Sequence, residues 1–183
     1  HGWQPLHAAG STVIGNGEIY NYLELIEEFG LQDRLTTGSD FEPLLHLYAM
    51  EGEKAFDRLR GMYAFCLLGC DGRTWLVRDP FGIKPLYWRA EGNKIAFASE
   101  LRSLKPARPK LDMGRVEQLL ALNYTLDPGV GQPAASIVEG VGRLQPSSRL
   151  LVAHDAVEQH YARPPLPPVA PFRSEAPALE RLD

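Results

Sequence analysis

The sequence predicts an α+β domain with a largely antiparallel sheet. Short β-branched or aromatic runs are joined by strong turn signals at Asp71-Gly72 and at Glu91-Gly92-Asn93, which favour hairpins between neighbouring strands. Segments with apolar residues at helical spacing accompany these runs, and two of them stop at a glycine, Gly30 and Gly52. Because no strand–helix–strand unit is repeated, a doubly wound parallel sheet is not expected.

The composition excludes several classes of protein. The 183 residues fit one globular domain that buries roughly 70% of its unfolded surface. A net charge of -4 argues against nucleic acid or an anionic membrane as the partner, since both favour a basic face. No apolar run is long enough to span a bilayer, and no secretory signal is visible. Two cysteines are too few for a disulfide scaffold or for a metal site made of thiolates. We therefore expect a cytoplasmic protein without a metal site.

The elements can be predicted in chain order. A short strand over residues 11–14 runs into a turn at Gly15-Asn16-Gly17, and a helix over 22–29 follows. The pattern Ser39-Asp40-Phe41-Glu42 predicts a capping box for the next helix, with Ser39 as N-cap and Glu42 as its partner. The remaining elements are strands at 62–68, 74–78, 85–88 and 95–98, a short helix capped by Ser99-Glu100, and a helix around 116–122.

Residues 163–183 differ from the rest of the chain. Six prolines lie between positions 163 and 177, a density that permits neither a helix nor a central strand. We therefore expect a domain over residues 1–162, followed by a proline-rich interdomain linker or tail.

Five short sequence motifs follow one another along the chain. They are Asn16-Gly17-Glu18-Ile19-Tyr20-Asn21-Tyr22, Ser39-Asp40-Phe41-Glu42, Gly61-Met62-Tyr63-Ala64-Phe65, Arg78-Asp79-Pro80-Phe81-Gly82-Ile83-Lys84-Pro85-Leu86-Tyr87 and Phe97-Ala98-Ser99-Glu100. In this order they resemble the class II glutamine amidotransferase domain, and within that family the glutaminase half of glutamine-hydrolysing asparagine synthase. The resemblance covers about residues 2–161.

The resemblance implies a fold and an activity. The fold would be a four-layer αββα arrangement of the N-terminal-nucleophile hydrolase type. In the family an N-terminal cysteine attacks the side-chain amide of glutamine, and its own α-amine acts as the base. The released ammonia passes to a synthetase domain that uses ATP, with Mg²⁺, to activate a carboxylate. The expected partners are thus L-glutamine and that synthetase domain, and the domain itself needs no cofactor.

Four residues match positions of the family site. Asn16 and Gly17 match the oxyanion hole, where a side-chain amide and a main-chain N–H would stabilise a tetrahedral oxyanion; taken alone, Asn-Gly is also an ordinary hairpin turn. Glu18 and Asp40 match carboxylates that meet the α-ammonium of glutamine. Asp40 also suits the first turn of a helix through the helix dipole, and Glu42 is better explained as a cap than as a ligand.

Other reactive side chains are expected to be structural. The spacing of a phosphate loop is absent around Arg78, Asp79 and the turn at Gly82. This segment instead predicts a structural corner between two central strands. Cys66 and Cys70 are expected on one face of a strand, where a buried thiol is a small hydrophobe. A nucleophile of the family type must be the first residue of its chain, so neither thiol is a candidate.

The resemblance begins after the family's opening segment. That opening holds the cysteine, a first strand and an arginine for the glutamine α-carboxylate, so we expect these 183 residues to be inactive as they stand. One hypothesis is a piece of a glutamine-hydrolysing asparagine-synthase-like enzyme; the alternative is a stand-alone, non-catalytic binding or docking module. The DNA upstream of His1 discriminates between them. An uncovered sheet edge would also favour homodimers or aggregates.

Overall fold

The computed structural model describes residues 3–91, 94–126, 135–152 and 157–161. Within these ranges two sheets and three α-helices form. The strands are β1 (Leu6–Ala8), β2 (Ser11–Ile19), β3 (Gly61–Leu68), β4 (Thr74–Arg78), β5 (Tyr87–Glu91), β6 (Lys94–Ala98), β7 (Gly142–Arg143), β8 (Ser148–Val152) and β9 (Val157–Tyr161). The helices are α1 (Tyr22–Glu28), α2 (Glu42–Glu51) and α3 (Met113–Leu122), with short 3-10 segments at Gly52–Arg58 and Leu101–Ser103.

Both sheets are antiparallel, as the hairpin signals predict. The larger sheet has the order β1-β2-β3-β4-β8-β9, and the smaller has the order β6-β5-β7. Gly72 takes a φ of 79° in the β3–β4 hairpin, a conformation that glycine adopts without the strain a side chain would cause. The turn predicted at Glu91-Gly92-Asn93 falls partly outside the described residues, although Glu91 pairs with Lys94 across it.

The core shows four layers, because alternate residues of each strand face opposite sides. In β3, Phe65 and Leu67 pack with the apolar residues of α1 and α2, whereas Ala64 and Cys66 face Trp88 of the smaller sheet. A third cluster lies on the far side of the smaller sheet and contains Leu104, Val138 and Val141. α3 lies on that side, because Leu119 borders a cavity there together with Tyr87, Leu101 and Ile137. The αββα arrangement implied by the resemblance is therefore observed.

A buried corner joins the two sheets between β4 and β5, as predicted, although these strands belong to different sheets. The Asp79 carboxylate, which is fully buried, accepts the main-chain N–H groups of Phe81, Ile83 and Lys84. The Arg78 guanidinium donates to the carbonyl oxygens of Gly82, Lys84 and Leu144. Both side chains are thus used to satisfy main-chain groups of the corner.

Three local predictions are wrong. β2 does not end at residue 14 but runs on to Ile19, so Gly15-Asn16-Gly17 is strand and not a turn. The cause is non-local: this segment pairs with β3 along its length, from Thr12 opposite Leu68 to Ile19 opposite Gly61. No side-chain cap bond is present at the segment Leu101–Ser103, where Glu100 instead contacts Arg102. The strand expected at 85–88 begins only at Tyr87.

The predicted linker at 163–183 lies outside the described residues. Among the residues that are described, no helix is long and apolar enough to cross a membrane.

Candidate functional site

The first of the five motifs, residues 16–22, occupies the end of β2 up to Ile19 and reaches the start of α1 at Tyr22. Ile14, Asn16 and Glu18 project from one face of this strand and are exposed, whereas Val13 and Ile19 project from the other face and are buried in the core beneath the helices. Asn16 stands opposite Ala64, and Glu18 stands opposite Met62. The side chains of Asn16 and Glu18 are therefore neighbours on one solvent-accessible face.

The main-chain groups of β2 alternate between β3 and the opposite edge of the strand. The Gly15 N–H lies at that edge, where it donates to Oε1 of Gln4 at 2.8 Å. The Ile19 N–H lies at the same edge and donates to Oδ2 of Asp40 at 2.6 Å. By the alternation, the N–H of Gly17 faces this edge as well. It lies between a carboxamide on one side and a carboxylate on the other.

The close approach of β2 to β3 requires a glycine at position 17. Its φ is 152°, and a Cβ built there would lie 2.2 Å from the carbonyl oxygen of Met62 in β3. No other residue fits that space without separating the two strands. The ordinary explanation of Asn16-Gly17 as a hairpin turn is thereby wrong, and the glycine serves a close approach of main chains instead.

Asp40 lies at this edge and not in a helix. α2 begins at Glu42, so the prediction that Asp40 occupies the first turn is wrong. Its carboxylate is half-buried and crosses to the strand, where it binds the Ile19 N–H two residues beyond Gly17. The structure thus brings Asp40 together with Asn16, Gly17 and Glu18, with Asp40 at the strand edge and Glu18 on the adjoining face.

The predicted capping box is also wrong. The N-cap position of α2 is Phe41, and no side chain caps the helix. Instead, the fully buried Glu42 carboxylate accepts hydrogen bonds from the main-chain N–H and hydroxyl groups of both Thr36 and Thr37. Burial by itself would raise the pKa of Glu42, but the bonds from Thr37 and Thr36 outweigh it and lower that pKa. Glu42 therefore anchors the loop that leads to Asp40.

Neither thiol is placed to act as a nucleophile. Cys66 faces the core between the sheets, and burial raises its pKa to about 11, so thiolate is scarce at neutral pH. Cys70 is exposed beyond the end of β3, where its N–H donates to the Ser11 hydroxyl. The expectation that both lie on one strand face is wrong for Cys70, because the strand ends at Leu68.

The four predicted site residues lie at or beside the open edge of β2. A cavity of about 270 Å³ lies on the far side of the smaller sheet, bordered by Tyr87, Leu101 and Leu119, and none of the four predicted site residues lines it. In the described ranges no three His, Cys, Asp or Glu residues are grouped as a metal site would require. Sequence reasoning missed Gln4, since nothing in periodicity or spacing marks a glutamine next to a proline as a partner of a strand edge.

Comparison with known proteins identifies the family of this domain. The family model described as a glutamine amidotransferase domain matches residues 1–162. The chain is 34% identical over 161 residues to glutamine-hydrolysing asparagine synthetase 1 of Bacillus subtilis, covering 85% of this chain and 24% of that protein. It is 40% identical over 109 residues to glutamine-hydrolysing asparagine synthetase B of Escherichia coli, covering 57% of this chain and 20% of that protein. The chain thus spans about a quarter or less of these relatives.

A solved structure shows the same fold. Glutamine phosphoribosylpyrophosphate amidotransferase from B. subtilis, complexed with ADP and GMP, superposes with a TM-score of 0.56 at 20% identity, over 86% of this chain and 31% of that one. The two sheets and their helix layers agree with that fold. With a family model matched over residues 1–162, the chain belongs to the glutamine amidotransferase domain family, in its class II, N-terminal-nucleophile hydrolase form.

Proposed function

We propose that this chain is the glutamine-binding, glutaminase part of an asparagine-synthase-like enzyme. The observation that carries the proposal is the open edge of β2. There the Gly17 N–H faces outward beside the Asp40 carboxylate, and the Asn16 side chain is exposed on the adjoining face. A carbonyl oxygen held at this edge would meet two N–H donors that belong to consecutive residues.

The two donors account for the chemistry of amide hydrolysis. When a nucleophile attacks the side-chain amide of glutamine, the carbonyl oxygen becomes negative. Asn16 Nδ2 and the Gly17 N–H stabilise that charge, and each such donor contributes roughly 3 kcal/mol to the transition state. Gly17 is held between bonded neighbours, so its donor needs little reorganisation.

The two carboxylates account for recognition of an amino acid. Glu18 and Asp40 place negative charge on either side of the Asn16-Gly17 step, and the α-ammonium of glutamine is the complementary group. Asp40 keeps its orientation because it also accepts the Ile19 N–H. An amide and an ammonium within one small molecule match this pattern, and L-glutamine contains both.

The rest of the reaction belongs outside these residues. We propose that ammonia passes to a synthetase domain, which the names of the asparagine synthetase relatives support, and that residues 163–183 link the two domains. We further propose that this synthetase domain uses ATP and Mg²⁺. Cys66 and Cys70 are both free thiols, which fits the reducing cytoplasm. Nucleic acid and membrane are not proposed as partners.

Titration of the chain with L-glutamine, followed by the amide NMR signals of Gly17 and Ile19, tests the proposal. L-glutamine should shift both signals, and L-glutamate, which lacks the amide, should bind more weakly. Asn16→Asp should weaken binding about tenfold, because a carboxylate repels the carbonyl oxygen. The matched control is Asn123→Asp at the exposed end of α3, which should leave binding unchanged. Unmoved Gly17 and Ile19 signals at saturating L-glutamine would refute the proposal.

Hydrolysis is a separate measurement. We propose that the 183 residues bind glutamine without hydrolysing it, since neither thiol lies at the site. No ammonia release above background is expected. Release that disappears in Cys66→Ala or Cys70→Ala would contradict this.

We also propose that isolated chains associate through the uncovered part of the β2 edge. Analytical ultracentrifugation should show dimers or larger species, and L-glutamine should shift them toward monomer because it binds the same edge. A monomer at all concentrations would contradict the association.

A further inference from the structure

We propose that Gln4 is a positioning residue of this site, whose carboxamide fixes the strand edge from which Gly17 presents its N–H. The inference rests on the proposed function, because it concerns the same edge. It adds a residue that lies outside all five sequence motifs, twelve positions before Asn16.

Gln4 takes the place of a strand residue. β1 pairs with β2 from Ala8 opposite Ser11 to Leu6 opposite Val13, and continuing that register places Gln4 opposite Gly15. There the side chain, not the main chain, completes the ladder: Gln4 Oε1 accepts the Gly15 N–H at 2.8 Å, and Gln4 Nε2 donates to the Gly15 carbonyl oxygen at 2.8 Å. A carboxamide can make this two-point contact because it carries a donor and an acceptor side by side.

The contact matters because this stretch of β2 is intrinsically loose. Gly15 and Gly17 lack side chains that could restrict the main chain, and glycine loses the most conformational freedom on ordering. Gln4 holds the strand at Gly15, and Asp40 holds it at Ile19. Gly17 is fixed from both sides while its own N–H stays directed at the open edge. Such prior ordering is what an oxyanion donor requires.

The first test removes the contact without shortening the side chain. Gln4→Met loses both hydrogen bonds, so the Kd for L-glutamine should rise about five- to tenfold. The order parameters of the Gly15 and Gly17 amides should fall, and the unfolding temperature should change little because Gln4 is exposed. The matched control is Thr12→Val, which removes the 2.9 Å contact between Thr12 Oγ1 and His7 across the same two strands but away from the site. It should leave affinity and Gly17 order unchanged.

The second test restores the contact by pH. In Gln4→Glu, a protonated carboxyl donates to the Gly15 carbonyl and accepts its N–H, as the carboxamide does. The ionised carboxylate only accepts, and its second oxygen faces that carbonyl. The variant should therefore bind like the unmodified chain near pH 4 and lose affinity as pH rises past its pKa, which lies above the reference value of about 4.3. Asp40, Glu18 and His7 are other ionisable side chains near this edge and are present in both proteins, so the ratio of the two affinities isolates position 4.

The outcomes separate the two proposals. If the unmodified chain does not bind L-glutamine, the proposed function fails, and the amide order parameters still report whether Gln4 orders Gly17. If the chain binds but Gln4→Met binds equally well with unchanged Gly17 order, the positioning role is overturned and the proposed function stands. A Gln4→Glu affinity ratio that stays flat from pH 4 to pH 7 also overturns the positioning role.

Discussion

Two regions of the molecule use an aspartate to organise main chain, and they do so differently. At the corner, residues 78–84, the Asp79 carboxylate is fully buried and accepts three N–H groups from its own turn. At the edge, residues 15–19, the half-buried Asp40 accepts one N–H, that of Ile19, from among the described residues. Asp79 has its acceptor capacity used by the fold, whereas Asp40 keeps acceptor capacity for a ligand. Acceptor capacity that the fold does not use therefore distinguishes the proposed site residue Asp40 from the structural residue Asp79.

The largest expected effect would break the corner. Asp79→Ala removes three hydrogen bonds and leaves part-buried N–H groups without their acceptor, so the free energy of unfolding should fall by about 3–5 kcal/mol. Urea denaturation measures this. Asp33→Ala, at an exposed position, is the control and should change stability by less than about 0.5 kcal/mol. A loss below about 1 kcal/mol for Asp79→Ala would show that the corner does not depend on its carboxylate.

The next effect concerns the close approach of β2 to β3. In Gly17→Ala the new Cβ would lie 2.2 Å from the Met62 carbonyl oxygen, so the strands must separate. We expect the free energy of unfolding to fall by about 3–4 kcal/mol. We also expect L-glutamine binding to be lost. Gly72→Ala is the matched control: its φ is also positive, at 79°, but nothing lies within 4 Å of the added Cβ. It should cost only about 1–2 kcal/mol of backbone strain and retain binding.

The Glu42 anchor should make stability depend on pH. Its pKa is lowered in the folded chain, so it contributes stability above the unfolded value of about 4.3, and that contribution is lost as pH falls through the folded pKa. Glu42→Gln should reduce the free energy of unfolding by about 2–3 kcal/mol at pH 7. The difference from the unmodified chain should shrink below pH 4.3. A difference that is equal at pH 7 and pH 3 would assign the effect to packing instead.

The smallest effect on stability should accompany a clear effect on binding. Asp40→Asn keeps an acceptor for the Ile19 N–H but loses the charge that would meet an α-ammonium. Stability should stay within about 1 kcal/mol, while the Kd for L-glutamine should rise about tenfold or more, equivalent to about 1.4 kcal/mol. Calorimetric titration measures it, with Asp33→Asn as control. Unchanged affinity would place Asp40 with Asp79 as a structural residue.

Local patterns predicted the parts of the fold that depend on local interactions. The Asp71-Gly72 hairpin, the helix before Gly30 and the corner at Arg78-Asp79 all follow from residues close together in the chain, and the structure confirms them. The four layers were predicted only from the family resemblance, because hydrophobic periodicity does not indicate which sheet packs against which.

The errors share one physical cause, which is that a specific tertiary contact outweighs a local propensity. The pattern Gly15-Asn16-Gly17 has strong turn propensity, but pairing with β3 overrides it. The pattern from Ser39 to Glu42 suits a cap, but the buried Glu42 finds four donors in the preceding loop. Gln4 was missed altogether because its partner lies across a strand pair. The β2–β3 pairing joins segments far apart in the chain, whereas the donors to Glu42 lie only five and six residues before it but outside the capping pattern. Local propensity records neither kind of contact.

The pairing of β4 with β8 determines when this domain can fold. Val77 stands opposite Arg149, so about seventy residues must be synthesised before one strand meets the other, and the smaller sheet and α3 lie in between. During translation, the edge of β4 that pairs with β8 therefore stays unpaired until β8 has left the ribosomal exit tunnel. Contacts between such distant segments form slowly, and an unpaired flank favours aggregation meanwhile.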